Sequence, residues 1–249
     1  MQELATAVRF SLVIPAYNEQ ALLPRLLDSV DIARRNFHLG PDAVEVIVAD
    51  NASTDSTPRI AAERGCTVAR VEKRLIGAAR NGGAAIARGD FLCFIDADSR
   101  VHPQTFNAIE QALTSGRFVG GATGVVLERW SLGLICTFAM MVPMVVLMRM
   151  DTGVVFCRRD DFVSIGGYGE TRLFAEDVEF LFKLRALGRK RGQILARVTS
   201  AKAIASTRKF DKYGEWHYFT QIFRLAFLML RSPGATTEFA RRYWYNDRD

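Results

Sequence analysis

The chain has 249 residues, enough for one large α/β domain or two small ones with a substantial core. Apolar residues make up 49% and charged residues 24%, a globular balance that speaks against a disordered or fibrous chain. The formal charge of +6 favours anionic partners without choosing among nucleotide phosphates, acidic lipid headgroups and nucleic acid.

Phe10 to Ile14 is an apolar run stopped by Pro15; it predicts a first buried strand followed by the loop Ala16-Tyr17-Asn18-Glu19. Leu22, Leu23, Leu26, Leu27, Val30, Ala33 and Phe37 then recur at helical spacing and predict an amphipathic helix packed on the sheet. A second buried strand, Val44 to Ala49, ends at Asp50-Asn51-Ala52-Ser53-Thr54-Asp55. Thr54 or Asp55 can cap the next helix, and Pro58 is tolerated in its first turn. Cys66 to Val71 is a shorter third strand, and this alternation argues for parallel βαβ units. A helix of small residues leads from Gly77 to Gly89. It carries no GxGxxG directly after a strand, and no GxxxxGK[ST] loop occurs, so a dinucleotide-binding reading is rejected.

Phe91 to Ile95 reads as a strand buried on both faces, with Asp96 and Asp98 at its end. Ligands of open α/β sheets bind outside the carboxyl ends of strands. Side chains two apart in an extended segment point the same way, so these acids can reach one hard cation and hold it against a diphosphate. A solvated Asp-rich turn is the competing reading. Pro103 to Ser115 follows as a helix with Phe106, Ile109 and Leu113 inward.

Leu132 to Met148 carries no charge, is flanked by Arg129 and Arg149 and contains Pro143. Its length lies at the lower edge of a membrane span, about 17–25 residues. A single crossing would also put Asp177 on the far side of a bilayer from Asp96 and Asp98. The preferred reading is a helix packed within the domain, with an interfacial or shallowly inserted segment as the alternative.

Thr152 to Cys157 returns to strand character, followed by a helix at Asp160 to Ile165 and the turn Gly166-Gly167-Tyr168-Gly169. Glu176, Asp177 and Glu179 open a helix running through Leu187 with Gly188 as its stop; acids in a first turn also simply oppose the helix dipole. From Lys183 to Lys212 the many basic residues face one acid, Asp211, which reads as a solvated face or a landing surface for a phosphate-bearing ligand or membrane. Trp216, Phe219, Ile222, Phe223, Ala226, Phe227 and Leu230 form an apolar stripe that packs on its own domain or suits an anionic membrane surface. Cys66, Cys93, Cys136 and Cys157 are widely spaced and fit free thiols in a reducing compartment. The N-terminus lacks a basic segment followed by a long apolar one, so a cytoplasmic protein without a signal peptide is the expectation.

The motifs VIPAYNE at 13–19, ADNASTD at 49–55, ARNGGAAIARGDFLCFIDAD at 79–98, IGGYGE at 165–170 and AEDVEFLFKLRALG at 175–188 together resemble the family 2 glycosyltransferases. The resemblance spans about residues 9–210 and implies an inverting enzyme of the GT-A fold: an α/β, Rossmann-like, mostly parallel central sheet flanked by helices, with a smaller acceptor-side mixed region and C-terminal amphipathic helices. The expected organisation is a single domain over 1–249, with a nucleotide-binding half at about 9–125, an acceptor half at about 126–210 and a helical extension at 211–249.

Carried over residue by residue, the resemblance makes Pro15, Ala16, Tyr17 and Glu19 nucleoside contacts. The family's Asp-Asp-x-Ser-x-Asp becomes Asp50-Asn51-Ala52-Ser53-Thr54-Asp55, so Asp50 is expected at the base, with Asn51 in place of the second acid. Arg80 matches an arginine near base and diphosphate, Asp98 the direct Mn2+ or Mg2+ ligand, and Asp96 a residue near ribose and metal. Asp177 matches the catalytic base, with Glu176 beside it orienting a sugar. Arg208 stands where a cationic contact to diphosphate is expected, and His217 is a candidate third metal ligand.

No QxxRW motif is present, so transfer of a single sugar is expected rather than polymer synthesis. The donor is a nucleotide-diphosphate sugar, UDP-linked favoured and GDP-linked the other option. The acceptor is unidentified, with a lipid-linked or membrane-proximal one favoured and peripheral contact with the cytoplasmic membrane face expected. Nucleic acid is not an expected partner, because aromatics do not interleave the basic run. The competing functions are a retaining transferase acting on a small soluble acceptor and a non-catalytic sugar-nucleotide-binding module.

Overall fold

The computed structural model describes residues 7–171 and 176–216. Phe10, Leu12 and Ile14 alternate with Ser11 and Val13, and both sets are buried, so β1 (Phe10–Ala16) is covered on both faces. It pairs in parallel with β2 (Val44–Asp50) and β4 (Phe91–Phe94), and β3 (Thr67–Arg70) adds to β2. With β5 (Phe118–Leu127), β6 (Val155–Arg158) and β7 (Ile194–Ala205) the sheet order is β3-β2-β1-β4-β6-β5-β7. β6 runs antiparallel to β4 and β5, and the other pairings are parallel. The strand order reverses between β1 and β4, which opens a crevice at their carboxyl ends.

One face is covered by α1 (Leu23–Arg35) and α4 (Thr105–Thr114), where the Phe10 ring lies 5.4 Å from Phe37, 5.2 Å from Phe91 and 5.3 Å from Phe106. On the other face α3 (Ile76–Ala85) and α7 (Glu176–Lys190) pack over Val13, Ile47, Leu92 and Phe94. The small residues of α3 have a packing reason: a Cβ at Gly83 would collide with Val13, and one at Gly77 with the Gly169 carbonyl. Backbone can therefore approach sheet and turn closely enough to bring Arg80 to the crevice.

Several expectations are corrected. The α3 helix ends at Ala85, before Gly89. The cap expected at α2 (Thr57–Glu63) is supplied by Asp55, which accepts the Thr57 N–H at 2.8 Å although the boundary residue is Ser56. α7 continues through Gly188, which is buried against Val119; the turn comes at Gly192 (φ 68°), where the Gln193 N–H reaches the Gly188 carbonyl at 2.8 Å. The basic run is not an unpaired surface, because acids distant in sequence meet it: Asp161 with Arg191, Asp151 with Arg197, Glu19 with Arg208.

The largest correction concerns the uncharged run. It forms α5 (Leu132–Met148), started by Ser131, whose hydroxyl accepts the Leu134 N–H at 3.4 Å. Gly133, Leu134 and Thr137 are buried, but beyond Thr137 no described side chain of α5 is. The expected packing within the domain thus holds for the first turns and for Met148 at the last, which packs against the core cluster containing Val155 and Leu195, while the outer face between them stays exposed. Among the described residues, no helix is long and apolar enough to cross a membrane. The stripe from Phe219 to Leu230 lies outside the described residues.

Candidate active site

The loops after β1 and β2 are zipped together by side-chain bonds. Asn18 Oδ1 accepts the Thr54 N–H at 2.9 Å, Thr57 Oγ1 accepts the Glu19 N–H at 2.8 Å, and Asp55 accepts the Gln20 N–H at 3.1 Å. Asn18 (φ 51°) and Ala52 (φ 62°) hold left-handed backbone at the two tips. Pro15 and Ala16 complete β1, and Tyr17 emerges with the Arg74 guanidinium 5.0 Å above its ring. Asp50, buried at the end of β2, accepts the Ser53 N–H at 3.2 Å.

Asn51 explains its own departure from the acidic pattern. Its amide donates to the Val71 carbonyl at 3.1 Å and the Lys73 carbonyl at 2.7 Å, bonds that a carboxylate cannot make. It fastens the segment that carries Arg74.

Beyond β4 the chain turns: the Ser99 N–H bonds the Asp96 carbonyl at 3.1 Å, and Ala97 is buried between the acids. Asp96 and Asp98 therefore do not point together from an extended strand, as expected, but face different arginines across the crevice. Arg80, 3% exposed, reaches Asp96 at 2.9 Å, Glu176 at 2.9 Å and Asp177 at 2.8 Å. Arg208, 38% exposed at the start of α8 (Arg208–Tyr213), grips both Glu19 oxygens at 2.8 and 2.9 Å and approaches Asp98 at 3.5 Å. Glu19 is thus buried against Arg208, and Arg80 links the Asp96 turn to α7. His217 lies outside the described residues.

Burial pushes the Asp177 carboxyl up to about 6; Arg80 pulls it down, Glu176 and Asp96 push it up, and the Tyr168 hydroxyl favours the charged form. Burial works against the Arg80 charge, but Asp177, Tyr168, Asp96 and Glu176 outweigh it and hold the guanidinium well above its usual range. Arg208 is also raised, because Glu19 and Asp98 outweigh its burial.

Tyr168 was not singled out from the sequence. Its ring stacks on Phe180 at 4.3 Å, lies 5.0 Å beneath the Arg80 guanidinium and walls Asp177 from the core. Asn81 and Glu170 were also missed: Asn81 accepts the Tyr168 N–H at 2.9 Å and donates to Glu170 at 2.9 Å. Their signal was available in the pairing of ARN with IGGYGE, since Asn81 is the residue next to Arg80.

Asp96 and Asp98 supply hard carboxylate oxygens beside cationic groups. No group of three His, Cys, Asp or Glu among the described residues could hold a metal alone. Mg2+-type sites take one or two carboxylates and complete their shell with phosphate and water oxygens, so the two acids fit an ion shared with a diphosphate.

The glycosyl transferase family 2 model matches residues 11–133, which include the β1, β2 and β4 loops just described. Over those residues the chain is similar to glycosyl transferase family 2. Among curated relatives it is 37% identical over 119 residues to the undecaprenyl-phosphate 4-deoxy-4-formamido-L-arabinose transferase of Pseudomonas paraeruginosa, covering 45% of this chain and 34% of that protein. Across three such relatives the chain spans 27%, 22% and 34% of their lengths. Among solved structures, S. aureus TarS 1–349 in complex with UDP-GlcNAc aligns with TM-score 0.59 and 19% identity, covering 80% of this chain and 58% of that one. Glucosyl-3-phosphoglycerate synthase of Mycobacterium tuberculosis, with Mn2+, UDP and phosphoglyceric acid, aligns with TM-score 0.58 and 23% identity, covering 84% and 74%. At these identities the structural likeness shows the fold, which is the expected GT-A architecture of the family 2 glycosyltransferases.

Proposed function

We propose that this protein is a metal-dependent inverting glycosyltransferase that moves one sugar from a nucleotide-diphosphate sugar, a UDP-sugar before a GDP-sugar, to a lipid-linked or membrane-proximal acceptor. The observation that carries this reading is the Arg80 cluster, in which one buried guanidinium joins Asp96 to Glu176 and Asp177. Asp50 and Tyr17 receive the base, and the crevice between β1 and β4 receives the diphosphate.

Asp98, with Asp96 across the same turn, would hold a Mn2+ or Mg2+ ion together with phosphate oxygens, and that ion would supply positive charge to the departing diphosphate. Arg208, beside Asp98, adds a second cation to that leaving group. Asp177 takes the proton from the acceptor hydroxyl as it attacks the anomeric carbon from the face opposite the nucleotide. With its carboxyl at about 6, Asp177 is ionised at neutral pH yet basic enough for the task. Arg80 keeps it ionised and aimed, Tyr168 excludes water behind it, and Glu176 orients the sugar. The nucleotides and Mn2+ bound by the solved neighbours, and the undecaprenyl-phosphate substrate named for the curated relative, support donor, metal and acceptor class respectively.

The test is a donor panel with Mn2+, followed by nucleoside diphosphate release and by the anomeric configuration of the product. The reading expects metal-dependent release from one nucleotide-sugar class with inverted configuration. A retained configuration would remove Asp177 from the role of base, and absence of both binding and release across the panel would favour a non-catalytic module.

A further inference from the structure

The outer face of α5 is unpartnered among the described residues. Leu132, Ile135, Ala139, Val142 and Val146 follow one another at spacings of three and four and share a face, with Pro143 and Leu147 beside them; all are exposed, Leu132 by 69% and Leu147 by 85%. None bears a polar side chain, whereas a protein-binding surface ordinarily has a polar rim. The helix ends carry groups suited to the boundary of a bilayer: exposed Trp130, packed edge-on against Phe138 at 5.4 Å, and Arg129 at one end, Arg149 at the other. At ~1.5 Å per residue α5 spans roughly 25 Å, short of the ~30 Å hydrocarbon core, and its first turns are tied to the protein, so it lies along a surface rather than across it. The net charge of +6 adds attraction to anionic headgroups.

We propose that the outer face of α5 inserts shallowly into an anionic lipid bilayer. The location of the helix gives this contact a purpose. α5 leaves the carboxyl end of β5, and Arg129 at its foot bonds Asp211 and Glu215, which follow Arg208 in the chain. The crevice is thereby set beside the headgroups. This deepens the membrane-proximal reading of the acceptor and rests on it for its purpose, though not for its physical basis.

The test is flotation of the full chain with vesicles of phosphatidylcholine alone and of phosphatidylcholine with phosphatidylglycerol, for the wild type and for Val146→Asp with Leu147→Asp. The wild type is expected to float with the anionic vesicles, and the double variant to bind at least about tenfold more weakly, as loss of two buried aliphatic side chains implies. Without lipid, the variant should keep the wild-type Tm and mass in solution. Failure of the wild type to float, or equal flotation of both proteins, overturns the proposal. So does a variant that loses Tm or changes mass without lipid, because the face would then be covered by residues 217–249 or by a second copy. Thermal stabilisation of the wild type by UDP or GDP with Mn2+, measured in parallel, reports on the enzymatic reading separately.

Discussion

Each acid of the pair after β4 has its own arginine, and the two arginines live in different surroundings. Arg80 is nearly sealed from solvent, with three carboxylates about it drawn from the Asp96 turn and from α7. Arg208 is more than a third exposed and is held chiefly by Glu19, with Asp98 at the margin of its reach. A buried charge must be neutralised where it stands, whereas one at the edge can exchange partners with a ligand. On the proposed function, the first arginine would belong to the framework that aims the base, and the second to the part of the crevice that receives a donor.

The contrast can be broken in order of expected effect. Asp177→Asn should lower kcat about 10²–10⁴-fold, the usual worth of a general base, while nucleotide binding measured calorimetrically stays near wild type. Arg80→Met leaves three carboxylates facing one another and should cost about 3–5 kcal/mol in urea unfolding, as loss of one partner of a buried ion pair does. In that variant the acidic limb of the pH–rate profile should also move upward, because Asp177 loses the charge that favours its ionised form. Asn51→Asp, the residue common in the family pattern, removes the donor to two carbonyls and should cost about 1–3 kcal/mol by the same measurement. Arg208→Gln leaves the buried Glu19 carboxylate without its two-pronged partner and should likewise cost about 1–3 kcal/mol, while raising the donor KM about tenfold through a lost charge-assisted bond.

A pH series sharpens the same comparison. Below pH about 6 the Asp177 base is protonated, and kcat should fall about tenfold per pH unit. The stability effect follows from the raised folded-state value: the fold binds this proton more tightly than the unfolded chain, so the contribution is complete below about pH 4 and is lost as pH rises through about 6. Asp177→Asn escapes that loss. Its Tm relative to wild type should rise between pH 4 and pH 7, and an unchanged difference would show that the carboxyl is not held where the Arg80 cluster implies.

Much of the sheet was legible because β1, β2 and β4 are buried on both faces and end at turn-forming or acidic residues. β5 and β7 were not read as strands. β5 contains three glycines, which fit against the Ala196 backbone, the Phe156 carbonyl and Lys202, and β7 places lysine and arginine among small residues, so neither shows apolar alternation. In the site, the acidic motifs around Asp98 and Asp177 stand out in the sequence, whereas the pairing of Glu19 with Arg208, 189 residues away, is announced by no local pattern.

By itself the sequence determined the strand ends, the acids placed there and the uncharged character of α5, since these depend on local run length, turn chemistry and charge. Tertiary structure alone decided which acid meets which arginine, because a guanidinium with a fixed fork selects its carboxylates by where folded elements converge. It likewise decided the fate of α5. An uncharged helix is as compatible with a core as with a surface, and here the described elements leave its outer face uncovered beside the crevice.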